Sequence, residues 1–134
     1  MSDSSIKILI NKFKSILPFA GSRFYWTEYI FPSTLLIAPF VKVLLESIKS
    51  DNLRSRIELG LHEVLINAVQ HGNAGDLNKI LRVRRVITPN WLIWQIQDEG
   101  DGFPIKKRIS SLPDKIDSQG GRGLYLIHKC FDDV

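Results

Sequence analysis

Two side chains suited to phosphate chemistry stand four residues apart near the middle of the chain. Glu63 offers a carboxylate that can act as a base, and Asn67 offers an amide oxygen that can hold a metal ion. His71 follows after another four residues, so the three share one narrow stripe of a helix. The neighbouring arc is apolar, and a polar group buried there without a partner would cost roughly 1–3 kcal/mol. Taken alone, the stripe is better explained by polar side chains that cap or brace nearby backbone.

A second group lies farther along the chain, where Asp98 ends a strand-like segment and is followed by Gly100 and Gly102. A carboxylate at that position can accept a hydrogen bond from an amine. The glycines let the backbone pass close to a flat ring, because they carry no Cβ. Taken alone, residues 98–102 favour a turn, since Asp and Gly are typical turn residues.

A third group, residues 120–123, has the sequence Gly-Gly-Arg-Gly and opens a segment with helical spacing. The N–H groups at the start of a helix bind phosphate through hydrogen bonds and the helix dipole. Alone, this group is equally typical of a hinge. Together, the order and spacing of the three groups predict a magnesium–nucleotide site, with a metal ligand, a carboxylate base, an adenine-binding carboxylate and a phosphate-binding helix start.

Hydrophobic periodicity predicts the elements that must position these groups. In chain order we expect an amphipathic helix over Ile6–Leu17, a strand over Phe24–Phe31, a helix capped by Ser33 and ending near Ile48, a helix over Leu53–His71, a hairpin of Ile80–Ile87 and Trp91–Asp98, a loop over 104–119 and a helix over Gly123–Cys130. Residues 1–22 are then an N-terminal extension and residues 23–134 the domain. We expect an α/β fold, an α+β two-layer sandwich with helices on one face of a mixed sheet.

Composition bounds the class of protein. A chain of 134 residues that is 44% hydrophobic and 24% charged is one ordinary globular domain. Its single cysteine, Cys130, excludes an internal disulfide and favours packing on a helix over a reactive thiol. We expect a cytoplasmic protein without membrane contact, because the start lacks a secretory signal and the longest apolar stretch, Leu35–Leu45, is too short to span a bilayer. The net charge of +4 is spread along the chain, which favours a solvated surface over direct nucleic-acid binding.

The three groups together resemble the N, G1 and G2 boxes of the GHKL ATPase superfamily, which has the Bergerat fold. The resemblance covers roughly residues 24–134. The stretch from Glu63 to Asn73, with its His-Gly-Asn ending, is more specifically similar to the bacterial anti-sigma-factor serine/threonine kinases. Sensor histidine kinases usually lack that ending.

The resemblance implies a role for each matching residue. Asn67 would hold Mg²⁺ against the phosphates of ATP, Glu63 would be catalytic by orienting and deprotonating the attacking hydroxyl, and Asp98 would bind the adenine. The other nucleotide-binding positions implied are His71, Gly100, Gly102, Gly121, Arg122, Gly123 and Leu124. Residues 104–119 would be the ATP lid, with Lys106, Lys107 and Arg108 as candidates to approach the phosphates.

The implied function is that of an ATP-dependent protein serine/threonine kinase acting as a partner-switching regulator. Its acceptor would be a STAS-domain anti-anti-sigma protein, its other partner a sigma factor or similar target, and its oligomeric state a homodimer. Two alternatives stay open: a non-catalytic module that binds partners in a nucleotide-dependent way, and the catalytic domain of a split histidine kinase. The family continues with two further strands after the position of Val134, so either two edge strands are absent or the sequence is abridged. The N-terminal extension is a candidate to cover that gap.

Overall fold

The computed structural model describes residues 5–11, 25–88, 90–102 and 121–134, with the backbone alone described for 5–11 and 121–122. Four strands and three helices are found in these ranges. In chain order they are β1 (Ser5–Asn11), β2 (Tyr25–Pro32), α1 (Ala38–Leu44), α2 (Asp51–Asn67), a π-helical turn (Ala68–Gly72), β3 (Ile80–Ile87), β4 (Trp91–Gln97) and α3 (Gly121–Cys130). The predicted strand at β2 and the predicted β3–β4 hairpin are confirmed. The predicted loop over 104–119 lies outside the described residues.

The described strands form one sheet in the order β1-β4-β3-β2, and all three pairings are antiparallel. We expected a mixed sheet, so this detail of the prediction was wrong for the described strands. The reason lies in the connection between β2 and β3. Pro32 at the end of β2 pairs with Ile80 at the start of β3. The chain therefore leaves and re-enters the sheet at the same end, which requires antiparallel pairing.

The segment at the N-terminus corrects a second prediction, because residues 5–11 form a strand rather than part of a helix. Ile6, Ile8 and Ile10 alternate along it, and β-branched residues at a period of two favour a strand. This strand pairs with β4, from Ser5 opposite Gln97 to Asn11 opposite Trp91. It therefore covers an edge of β4 that would otherwise expose unpaired backbone groups. Residues 12–22 lie outside the described residues, and the domain boundary at residue 22 stays a prediction.

The helix starts also differ from the prediction. Ser33 does not cap α1, which begins at Ala38 with Pro39 in its first turn, where the missing N–H of proline is tolerated. α1 ends at Leu44 rather than near Ile48. α2 begins at Asp51, two residues before its predicted start at Leu53, because the hydroxyl of Ser50 accepts a hydrogen bond from the N–H of Leu53 at 3.5 Å.

The core lies between the sheet and the helices. Leu92, Trp94 and Ile96 point from β4 into this core and are at most 1% exposed. Trp94 meets the ring of Phe131, just after α3, edge-on with 6.2 Å between ring centroids. The buried side of α2 consists of Ile57, Gly60, Leu61, Val64 and Leu65. The structure confirms the α/β two-layer class, and no helix among its described residues is long and apolar enough to cross a membrane.

Candidate functional site

The side of α2 that carries Gly60, Glu63 and Asn67 faces the last helix, α3. A Cβ on Gly60 would overlap the ring of Phe131 and would lie 2.6 Å from the Cβ of Cys130. Only a glycine therefore allows α2 and the end of α3 to approach this closely. This contact fixes where α3 runs along α2, and it brings the start of α3 to the next turns of the stripe.

At the start of α3, Gly123 meets the two side chains that the sequence singled out. A Cβ on Gly123 would lie 3.1 Å from Nδ2 and 3.5 Å from Oδ1 of Asn67, and 3.4 Å from Oε2 of Glu63. Both side chains are half-buried. The structure thus places the candidate base and the candidate metal ligand together at the first turn of a helix, where N–H groups lack intrahelical partners.

Asp98 lies at a second position, against the π-helical turn that follows α2. The residue is 6% exposed, and its side chain packs directly on Gly72, where a Cβ would overlap the carboxylate. Its Oδ1 accepts a hydrogen bond from the N–H of Gly100 at 2.9 Å. A Cβ on Gly100 would in turn overlap the carbonyl group of Gly72. The structure therefore brings together Asp98 and Gly100, two residues of the second predicted group, and Gly102 has the positive φ of 88° that glycine adopts without strain.

Between these two positions the helix changes its hydrogen bonding. Residues Ala68–Gly72 form a π-helical turn, closed by the N–H of Asn73 on the carbonyl of Ala68 at 2.7 Å. The predicted stripe is based on 3.6 residues per turn. The π-helical turn is wider, so this spacing does not apply to its residues. His71, the last residue of the predicted stripe, is exposed in the structure.

Asn73 is a buried residue of this region that was not among the residues predicted for the site. Its side chain is 0% exposed and bonds to Ser33, Ile80 and Glu99. The available signal was its place directly after the helix end, in the ending His71-Gly72-Asn73. An amide there has donors and an acceptor to offer, but nothing in the sequence specifies the partners.

Of the remaining candidate site residues, some lie in the described part of the structure and others lie outside it. Leu124 is partly buried and packs against the core, and Gly121 begins α3 as the phosphate-binding prediction requires. The side chain of Arg122 lies outside the described part, as do Lys106, Lys107, Arg108 and Gly120.

Cys130 lies beside this site, and burial and nearby charges change the pKa of its thiol. Burial raises the pKa of the Cys130 thiol, the Arg56 guanidinium opposes that rise, and the Glu63 carboxylate adds to it. The thiol is buried and is therefore held neutral, which agrees with the packing role expected from the sequence.

The donors at the start of α3 suit one kind of metal ion. Among the described residues, no group of three or more histidine, cysteine, aspartate or glutamate side chains could hold a metal ion. Mg²⁺ needs no such cage, because on a nucleotide it keeps waters and phosphate oxygens and takes one or two oxygens from the protein. The amide oxygen of Asn67, beside the Glu63 carboxylate, fits that requirement.

The comparison with known proteins covers the part of the chain that contains these elements. The family model described as the histidine kinase-like ATPase domain matches residues 37–134, from the residue before α1 through α3. A search of curated proteins finds no significant match.

Proposed function

Since the chain belongs to the histidine kinase-like ATPase domain family of the GHKL superfamily and carries that ATP-binding, kinase-like domain, we propose that it is an ATP-dependent protein serine/threonine kinase. Its acceptor is a serine or threonine on a STAS-domain protein. By exchanging that protein for a sigma factor or a similar target, it acts as a partner-switching regulator, and it works as a homodimer. The resemblance of residues 63–73 to the anti-sigma-factor kinases supports the choice of partners.

One observation carries the proposal: Glu63 and Asn67 both lie against Gly123 at the start of α3. Phosphoryl transfer needs neutralised charge, correct positioning and an oriented nucleophile, with little covalent help from the protein. Asn67 would hold Mg²⁺, which supplies charge neutralisation at the phosphates when bound. The N–H groups of the first turn of α3 would bind the phosphate oxygens.

Glu63 supports an alcohol as the acceptor. A hydroxyl must lose its proton as it attacks, so a carboxylate near the metal ligand can orient the hydroxyl and take that proton. Its position on a rigid helix, half-buried and four residues from Asn67, holds it where the transfer would occur. This role requires only the chain's own carboxylate and the acceptor's hydroxyl.

The region around Asp98 would select the base. A buried carboxylate accepts a hydrogen bond from the exocyclic amine of adenine, whereas a carbonyl at the same ring position would meet it with repulsion. Gly72 and Gly100 leave room for the chain around Asp98, since a Cβ on either would overlap its neighbours. These features favour an adenine nucleotide over a guanine nucleotide.

The test incubates the protein with γ-labelled ATP, Mg²⁺ and candidate STAS proteins. We expect label on a STAS serine or threonine, loss of transfer with retained nucleotide binding for Glu63→Gln, and loss of Mg²⁺-dependent binding for Asn67→Ala. Glu58→Gln is the matched control, because Glu58 is an exposed glutamate on the same helix and should transfer like the parent.

Three results would contradict the proposal in different ways. Tight nucleotide binding without label on any STAS protein would indicate a non-catalytic binding module. Acid-labile label on a partner histidine would indicate the catalytic domain of a split histidine kinase. Normal transfer by Glu63→Gln would remove Glu63 from the mechanism.

A further inference from the structure

Asn73 uses its whole side chain for hydrogen bonds inside the protein. A primary amide has two N–H donors and one carbonyl oxygen. Nδ2 of Asn73 donates to Oγ of Ser33 at 3.1 Å and to the carbonyl of Ile80 at 3.0 Å, while Oδ1 accepts from the N–H of Glu99 at 2.7 Å. The side chain is 0% exposed. The amide group of Asn73 is therefore shielded from water in each of these bonds.

The three partners come from three separate segments of the chain. Ser33 follows β2, Ile80 begins β3, and Glu99 lies just beyond β4. Two further bonds tie the same segments together: the N–H of Ser33 donates to the carbonyl of Lys79 at 3.1 Å, and the N–H of Ile80 donates to Oε2 of Glu99 at 2.8 Å. We call Asn73, Ser33, Ile80 and Glu99 the Asn73 junction.

The Asn73 junction holds both sides of the contact between Gly72 and Asp98. Gly72 precedes Asn73 in the chain, and the N–H of Asn73 closes the π-helical turn on Ala68. Asp98 precedes Glu99, whose N–H is bound by the Asn73 amide. The carboxylate therefore keeps its place on Gly72 because one amide side chain fixes the residue next to each of them.

We propose that Asn73 is a positioning residue for nucleobase selection, which sets the direction of the Asp98 carboxylate by holding the Glu99 peptide against the end of the π-helical turn. The inference rests on the nucleotide-binding function proposed above and goes beyond it, because Asn73 itself does not touch the base. An alanine at position 73 would leave the Glu99 N–H, the Ile80 carbonyl and the Ser33 hydroxyl without this partner. The Glu99 peptide would then shift and move Asp98 with it, while the Asp98 carboxylate and its bond from the N–H of Gly100 stay intact.

The experiment measures selectivity rather than affinity alone. Isothermal titration gives the Kd of Mg²⁺-ADP and of Mg²⁺-IDP, whose hypoxanthine carries a carbonyl where adenine carries the amine. We expect the parent to prefer ADP and Asn73→Ala to lower that preference by about tenfold, the effect of one charge-assisted hydrogen bond. Asn78→Ala is the matched control, since Asn78 is an exposed asparagine on the loop that follows.

A second control separates an effect on the direction of the Asp98 carboxylate from an effect on the stability of the protein. Ser33→Ala removes one partner of the Asn73 amide but leaves the bond to Glu99, so it should lower the melting temperature and keep the preference for ADP. Asn73→Asp retains an oxygen that can accept the Glu99 N–H, so it should recover part of the preference that Asn73→Ala loses. If the role of Asn73 is purely structural, the preference for ADP in all three variants will instead fall in step with their loss of stability.

The outcomes distinguish this inference from the function on which it rests. A parent protein that binds neither nucleotide would overturn the proposed function and the inference together. A folded Asn73→Ala with the parent's preference for ADP would overturn the positioning role alone. If Asn73→Ala does not fold, Glu99→Pro and Glu99→Ala carry the test, because both lack the carboxylate and only proline lacks the N–H. Equal preference for ADP in that pair would overturn the inference, and a loss in Glu99→Pro alone would support it.

Discussion

Two regions along α2 and its π-helical turn treat their polar groups in opposite ways. In the Asn73 junction the Asn73 amide is buried, and its bonds to protein partners are 2.7–3.1 Å long. At the other region, Glu63 and Asn67 are half-buried against Gly123. Among the described residues, no group forms a hydrogen bond with either of these two side chains.

The difference fits the functions proposed for the two regions, in which the Asn73 junction positions Asp98 for the base, Asn67 holds Mg²⁺ and Glu63 takes a proton. A group that reads the shape of a base gains from being fixed before the ligand arrives, because ordering then costs nothing on binding. A metal ligand and a base must keep their oxygens available, so the protein cannot saturate them with its own donors. We therefore expect the Asn73 junction to contribute to stability and the Glu63–Asn67 region to contribute to binding and transfer.

The largest expected effect is on the free energy of unfolding, and one substitution at each region tests the contrast. Asn73→Ala leaves three polar groups without their partner inside the protein, and we expect it to lower the free energy of unfolding by about 3 kcal/mol. Asn67→Ala should change it by less than about 0.5 kcal/mol, as for a side chain outside any bonded network. Urea unfolding followed by circular dichroism measures both values. Similar losses for the two variants would show that the regions do not differ in this way.

A smaller effect is expected at Gly60, which sets the distance between α2 and the end of α3. Gly60→Ala forces a methyl group onto Phe131 and Cys130, and overpacking of this kind typically costs about 1–3 kcal/mol. The shift of α3 should also weaken Mg²⁺-ADP binding but keep the preference for ADP over IDP, because the Asn73 junction is not touched. Ser55→Ala, at an exposed position of the same helix, is the control. A loss of preference in Gly60→Ala would show that the two regions are coupled.

The contrast also explains which parts of the site the sequence could predict. The helix that carries Glu63 and Asn67 follows from local periodicity, and so does the β3–β4 hairpin that ends at Asp98. These predictions were confirmed because each depends on residues close together in the chain. The Asn73 junction joins segments up to 40 residues apart in the chain, as in the bond between Asn73 and Ser33. No local pattern specifies such partners.

The errors at the N-terminus and at Ser33 have the same origin. Residues 6–10 fit both a helical and an alternating pattern, and the edge of β4 decided between them. Ser33 looks like a helix cap, since serine is a preferred cap residue. In the structure it is buried and accepts a bond from Asn73 instead. In each case a contact made by tertiary structure overrode a local preference.

A still smaller change in stability is expected at Gly123, where the methyl group of an alanine would fit with little displacement. The nearest atom, Nδ2 of Asn67, would be 3.1 Å away and belongs to a half-buried side chain. Alanine also favours a helix over glycine by up to about 1 kcal/mol, so the two effects should nearly cancel in the free energy of unfolding. We expect normal stability but several-fold weaker Mg²⁺-nucleotide binding in titration, because the methyl occupies space beside Asn67 and Glu63. Unchanged binding would place the phosphates elsewhere.

The smallest expected effect uses Cys130 to sense the charge on Glu63. The pKa of the Cys130 thiol is raised by burial and, to a lesser degree, by the Glu63 carboxylate. Glu63→Gln removes that negative charge, so the thiol pKa should fall slightly and alkylation by iodoacetamide should become faster across the alkaline range. The raised pKa also means that the thiol's contribution to stability is present below the pKa of the unfolded chain and is lost as the pH rises through the folded value. Glu58→Gln, on the same helix, should alkylate like the parent, whereas equal rates for Glu63→Gln and the parent would mean that the Glu63 carboxylate is screened from the α2–α3 contact.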